Sequence, residues 1–141
     1  MADTRNLNEI MAAFAEDAVT YARHHFGIEL DYSVASIERV EEIAASLHAT
    51  RPRGFLARLL RREPSPRQVE ILCRMLGGYL GEVFRRVRGG DWEVFREEGV
   101  SLGVRYAASS WIFPPTKVYK RLTNGSEDDL VFYFEMVTQD D

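Results

Sequence analysis

The stretch 65–92 constrains the fold more than any other part of the chain. It opens with a capping box, because Ser65 at the N-cap and Gln68 at N3 can each satisfy a backbone amide that a helix leaves unpaired, and Pro66 suits the first helical position. The apolar residues that follow recur three and four apart: Val69, Leu72, Cys73, Leu76, Tyr79, Leu80, Val83, Phe84 and Val87. The glycine pair at 89–90 ends the pattern. The sequence therefore predicts one long amphipathic helix with a wide apolar face.

Three glycines, Gly77, Gly78 and Gly81, lie inside this predicted helix, where each costs about 1 kcal/mol relative to alanine. They do not form a phosphate-binding loop, since they are far from the helix start and no Lys-Ser or Lys-Thr pair follows them. Gly77 and Gly81 are four residues apart and share one face, so a neighbouring backbone or aromatic ring can approach closely there. We predict that leucine at either position destabilises the fold.

Two further helices are predicted before this one. Apolar positions recur at helical spacing from Asn8, which predicts a helix over 8–26 that stops at Gly27. Ser33 is the predicted N-cap of the second helix. Its predicted buried stripe contains Ile37, Val40, Ile43, Ala44 and Leu47, and its polar side contains Glu38, Glu41 and Glu42.

After residue 90 the apolar period changes to two, which is typical of half-buried strands. The predicted hairpin has a turn at 97–99, and a third strand is predicted over 111–113. The alternating apolar positions are Trp92, Val94, Val100, Leu102, Val104 and Tyr106.

Two C-terminal helices complete the prediction. The first begins near Pro115 and ends at 124–125, and the second covers 127–138, with Ser126 as N-cap and Asp129 at N3, despite the β-prone run LVFYF. The predicted fold class is α+β: three N-terminal helices, a small antiparallel sheet of about three strands and two C-terminal helices in one globular domain, 1–141.

Composition favours a cytoplasmic protein. The chain has 141 residues, is 45% hydrophobic and carries a net charge of -4. No signal sequence and no apolar run long enough to span a membrane are present. Its single cysteine, Cys73, falls in a helical apolar pattern and is expected to be a buried free thiol.

Neither a catalytic constellation nor a metal site is apparent in the sequence. His24 and His25 are adjacent on a predicted helix and point about 100 degrees apart, so they do not face one ion together. The serines read as helix caps or lie in small-residue runs, and no GxSxG motif is present. We therefore predict no catalytic residues, no metal and no cofactor, and we expect a protein that is not an enzyme.

Two segments are candidate binding surfaces. One is the stretch WIFPPTKVYKRLTNG, which gathers aromatic and basic side chains at a junction between sheet and helix: Trp111, Lys117, Tyr119, Lys120 and Arg121. An ordinary amphipathic helix, with Lys117, Lys120 and Arg121 on its solvent face, explains the same residues. The other candidate is an anion-binding set in a basic connection: Arg58, Arg61 and Arg62. The alternative for these arginines is a solvated loop that pairs with the acidic segments on either side.

Three segments resemble a family of short bacterial proteins of unknown function: the LDYS helix start, GGYLGEVFRR running into GGDW, and VYKRLTNGSEDDL. The likeness covers roughly residues 28 to 132. It implies an α+β fold with this element order and a bacterial origin, and it implies no activity. The chain departs from the family pattern at 34–36, where such helices begin with Pro and Glu.

These observations predict a non-enzymatic protein-binding or accessory protein, of immunity type for example, whose partner is another bacterial protein. The alternative is a protein that binds RNA or a phosphate ligand through arginine. An enzyme with a dispersed site ranks third.

Overall fold

A computed structural model describes residues 4–49 and 66–139. These residues form five α-helices and a three-stranded sheet. The elements are α1 (Thr4–Phe26), α2 (Ile37–Ala49), α3 (Pro66–Arg88), β1 (Asp91–Phe95), β2 (Ser101–Ala107), β3 (Ser110–Ile112), α4 (Pro114–Asn124) and α5 (Leu130–Thr138). Short 3-10 turns precede α2, at Val34–Ser36, and α5, at Ser126–Asp128. This order confirms the predicted α+β class.

Helix α3 lies between α1, α4 and the sheet. Its three internal glycines allow these neighbours to approach its backbone closely. A Cβ atom added to Gly77 would lie 2.5 Å from the Cα of Pro115, and one added to Gly81 would lie 2.1 Å from Cζ2 of Trp92. A Cβ on Gly78 would meet the carbonyl oxygen of Met11, in α1, at 3.2 Å. The predicted close packing is confirmed, because three different neighbours occupy the space that side chains would fill.

The strands form an antiparallel sheet in the order β1-β2-β3. Val104 lies opposite both Trp92 and Ile112, and all three side chains are buried. Since side chains alternate across a sheet, Arg105 and its partner Trp111 lie on the opposite face. The sheet therefore has one face in the core and one face directed away from it.

Several predicted boundaries were wrong by a few residues. Helix α1 begins at Thr4 rather than near 8, and β3 begins at Ser110. Val100 is 71% exposed and precedes β2, so it is part of the turn and not of a buried strand face.

The start of α5 also differs from the prediction. Ser126 belongs to the 3-10 turn, and the side chain of Asp129 accepts a hydrogen bond from the Phe132 amide at 2.8 Å. Asp129 is thus the N-cap and not the N3 residue, because its extended backbone separates the turn from the helix. The run LVFYF is helical, as predicted.

Other caps match the prediction. Gly27 ends α1 with a φ of 65°, which a glycine adopts without steric cost. Ser33 accepts a hydrogen bond from the Ser36 amide and caps the 3-10 turn that leads into α2. The Ser65 half of the predicted capping box lies outside the described residues.

Within residues 4–49 and 66–139, no helix combines the length and the apolar character that crossing a membrane requires. The cytoplasmic location stays a prediction.

Candidate site at the junction of sheet and C-terminal helices

An open groove of about 270 Å3 lies where β3 meets α4 and α5. Its walls are mostly apolar and aromatic, with two lysines at one side. The lining residues are Trp111, Ile112, Phe113, Thr116, Lys117, Lys120, Tyr133 and Val137. Three of the five residues predicted to form a partner-binding surface, Trp111, Lys117 and Lys120, are therefore brought together here.

A cluster of three partly exposed aromatic rings borders this groove on the outer face of the sheet. The rings of Trp111 and Phe113 are stacked, with centroids 5.8 Å apart and planes within 4°. Phe95 meets both edge-on, at 5.1 and 5.2 Å. The Phe113 ring lies over Gly103, where an added Cβ would be only 2.8 Å from it. The absence of a side chain at Gly103 thus seats the cluster on the sheet.

Lys117 is held in place by an acidic partner. Its Nζ donates to Oδ1 of Asp128 at 2.7 Å, and both side chains are largely buried. The same Nζ lies 5.4 Å from the centre of the Tyr133 ring. Hydrogen bonds from Lys117, and secondly from Asn124, hold the pKa of Asp128 below its usual value. The charge of Lys117 is therefore balanced within the protein.

Lys120 differs from Lys117 because it is exposed and makes no ion pair with any residue in the described ranges. It lies on the same side of α4 as Thr116, one turn earlier, and both residues line the groove. Lys120 is the lysine whose charge can be neutralised by a bound group.

Arg121 does not belong to this surface, which corrects the prediction. Its side chain is 5% exposed, and it forms a forked ion pair with Glu41 of α2, with Nε and Nη2 at 2.8–3.0 Å from the carboxylate oxygens. Glu41 also accepts a hydrogen bond from the Leu130 amide at 2.9 Å. Arg121 and Glu41 therefore join α4, α2 and the start of α5, and neither lies on the solvent face on which it was predicted.

The remaining predicted binding residues lie elsewhere. Tyr119 is 52% exposed and does not line the groove. The anion-binding alternative, Arg58, Arg61 and Arg62, lies outside the described residues.

Helix α5 contributes two groove residues, Tyr133 and Val137, that were not predicted from the sequence to be binding residues. The residues that immediately precede them, Phe132 and Met136, are 65% and 52% exposed. A signal for this surface was available, because the sequence of α5, LVFYFEMVT, is apolar around nearly its whole circumference, whereas a helix at the surface of a globular protein is normally polar on one side.

Burial raises the pKa values of two side chains, one in the groove and one in the core. Burial raises the pKa of Tyr133 to about 12, so its phenol keeps its proton at neutral pH. Burial likewise raises the pKa of the Cys73 thiol, in the core, to about 12. Among the described residues, no three His, Cys, Asp or Glu side chains are grouped so that they can hold a metal ion.

A second polar cluster, between α1, the 33–36 turn and α3, has a structural explanation. The Tyr79 hydroxyl accepts a hydrogen bond from the Tyr32 amide at 2.7 Å and shares one with Ser36 Oγ at 2.6 Å. The Tyr32 hydroxyl donates to Glu16, and the Arg86 guanidinium lies 4.0 Å from the centre of the Tyr32 ring. Ser36 and Tyr79 have no exposed surface, so their hydroxyls are inaccessible to a ligand, and these bonds hold the loop before α2.

Comparisons of the chain with protein-family models, with curated protein sequences and with solved structures found no match. The resemblance to short bacterial proteins stays a prediction.

The ion pair of Lys117 and Asp128 predicts a pH-dependent stability. Because the pKa of Asp128 is lowered in the folded protein, its contribution is complete above the unfolded value of about 4 and is lost as the pH falls towards the folded value. Asp128→Asn should therefore lower the melting temperature at pH 7, and the difference from wild type should shrink below about pH 4.

Thermal unfolding from pH 7 to pH 3 measures this difference. Glu98→Gln, on the exposed turn between β1 and β2, is the matched control for loss of one negative charge. A difference between wild type and Asp128→Asn that is constant with pH would contradict the stabilising role of the ion pair.

Proposed function

We propose that the protein is a non-enzymatic binding protein, of accessory or immunity type, that recognises another protein through the groove and the aromatic cluster beside it. The observation that carries this proposal is the apolar surface formed by the rings of Phe95, Trp111 and Phe113 together with the groove walls Tyr133 and Val137. Contiguous apolar surface that stays accessible is typical of protein interaction sites.

Two further apolar side chains of α5, Phe132 and Met136, are exposed and four residues apart, on one side of the helix. Aromatic residues and methionine are enriched at protein interfaces relative to the rest of the surface, and tryptophan and tyrosine are frequent energetic centres. The stacked rings are already ordered against one another, so this protein would lose little side-chain freedom when a partner binds them.

The proposal predicts that a double change in the groove, Trp111→Ala with Lys120→Glu, abolishes recovery of the partner from a lysate. The assay compares wild type, the double variant and a matched control, with recovered proteins quantified by mass spectrometry. The control, Ile71→Ala with Arg67→Glu, removes one exposed apolar side chain and reverses one exposed cation on α3. Melting temperatures establish that all three proteins are folded.

Wild type and control should enrich the same proteins, and the groove variant should lose them. Equal recovery by the groove variant, or recovery of nothing above background by wild type at low salt, would contradict the proposal. Lys120→Glu alone, which leaves the aromatic cluster intact, is the second variant if loss of Trp111 weakens the fold.

A further inference from the structure

We infer that the groove takes an acidic peptide segment of the partner, with one large apolar or aromatic side chain of that segment between Trp111 and Tyr133 and a neighbouring carboxylate on Lys120. This inference rests on the proposed function, since it specifies the chemistry of the partner at the same site.

The charge of the groove supports an acidic occupant. Among the described residues, the lining contains two lysines and the phenol of Tyr133 as ionisable groups and no carboxylate. Asp128 balances Lys117 from outside the groove, at 2.7 Å, and is itself fixed by a hydrogen bond from Asn124 at 3.1 Å. One positive charge, that of Lys120, therefore remains at the edge of the groove, where an exposed ammonium group can pair with a carboxylate.

The size and shape of the groove support a side chain of a peptide as the occupant. Its volume, about 270 Å3, lies below the roughly 300–1,000 Å3 that is typical of small-molecule sites, and it is open to solvent. One wall consists of the stacked Trp111 and Phe113 rings, and Tyr133 and Val137 form another. These walls offer flat apolar contacts to one large side chain, while the open side leaves room for the rest of a segment.

The test is selection of a random dodecapeptide phage library on the full-length protein, with parallel selection on Trp111→Ala to identify peptides that depend on the groove. Groove-dependent peptides should be enriched in Asp or Glu next to an aromatic residue. The best of them, made synthetically and labelled with a fluorophore, is then titrated by anisotropy against single variants at two salt concentrations.

Lys120→Glu should weaken binding of that peptide about tenfold, since an attraction becomes a repulsion, and Lys120→Arg should keep it within about twofold. Asp128→Asn should strengthen binding by about threefold, because the charge of Lys117 is no longer balanced. A loss of structure alone would not produce this gain. Added salt should weaken binding to wild type, and Arg67→Glu, remote on α3, should leave it unchanged.

The outcomes separate this inference from the proposed function. Groove-dependent peptides that are neutral or basic, or acidic peptides whose affinity is the same for Lys120→Glu, would overturn the acidic occupant and leave the groove as a binding site. The absence of any groove-dependent peptide would count against both.

Discussion

Gly81→Ala is expected to lower the free energy of unfolding by about 2 kcal/mol, although alanine is the better helix former by about 1 kcal/mol. The added Cβ would lie 2.1 Å from Cζ2 and 2.5 Å from Cη2 of Trp92. The indole cannot move aside easily, because it is fully buried and its Nε1 donates to Glu82 at 2.9 Å, while its backbone amide donates to Asn8 at 2.8 Å. Gly81→Leu should cost at least about 4 kcal/mol or prevent folding.

Urea titrations followed by circular dichroism measure these effects. The decisive comparison is made in a Trp92→Phe background, where the two ring atoms that clash are absent. There Gly81→Ala should cost little or become stabilising, which makes the coupling between the two positions the measured quantity. If Gly81→Ala were as stable as the parent in both backgrounds, the close-packing explanation would be wrong.

Substitutions at Gly77 and Gly78 should destabilise the fold to different extents. Gly77→Leu should also be severely destabilising, since a Cβ there meets the Pro115 backbone at 2.5 Å. Gly78→Ala should be milder because its nearest contact is 3.2 Å.

The second large effect is expected at the buried ion pair. Glu41→Ala should lower the free energy of unfolding by about 3–5 kcal/mol, because it leaves the buried Arg121 guanidinium without its hydrogen-bonded carboxylate and the Leu130 amide without its acceptor. Glu41→Gln, which keeps the size of the side chain but only one of its two acceptor oxygens, is the variant to use if Glu41→Ala does not fold.

The double variant Glu41→Leu with Arg121→Met should recover much of this loss, because it removes both charges together. Arg121 Nη1 is buried and has no hydrogen-bond partner among residues 4–49 and 66–139, so within these residues the wild-type pair is incompletely satisfied. Glu29→Ala, which breaks an exposed ion pair with Arg23, serves as the control and should change stability little. A Glu41→Ala protein as stable as the Glu29→Ala control would contradict the account.

Much of the fold followed from local patterns. The sequence predicts that α1 ends at Gly27 and α4 at Gly125, because glycine commonly follows the last residue of a helix. In the structure both glycines adopt positive φ values, 65° and 101°. The spacing of apolar residues changes from a period of about 3.6 to a period of two after residue 90, and this change predicted where the sheet begins. The start of α5 was predicted wrongly because Ser126 and Asp129 are both suitable N-cap residues and lie close together in the sequence.

The candidate site was only partly predictable. Trp111, Lys117 and Lys120 were selected from their spacing and chemistry, and the fold brings them to one groove. Tyr133 and Val137, which also line the groove, come from α5, for which the sequence predicted a helix but no binding role.

By itself, the sequence determined the order of helices and strands, some of their caps, such as Ser33 and Gly27, and the need for close neighbours at the α3 glycines, because these properties depend on residues a few positions apart. The tertiary structure alone decided which neighbours those are and which charges stay exposed. Lys120 and Arg121 are adjacent, yet the first faces solvent and the second is buried against Glu41, 80 residues away in sequence. Such a pairing depends on how α2 and α4 pack, and no local periodicity carries that information.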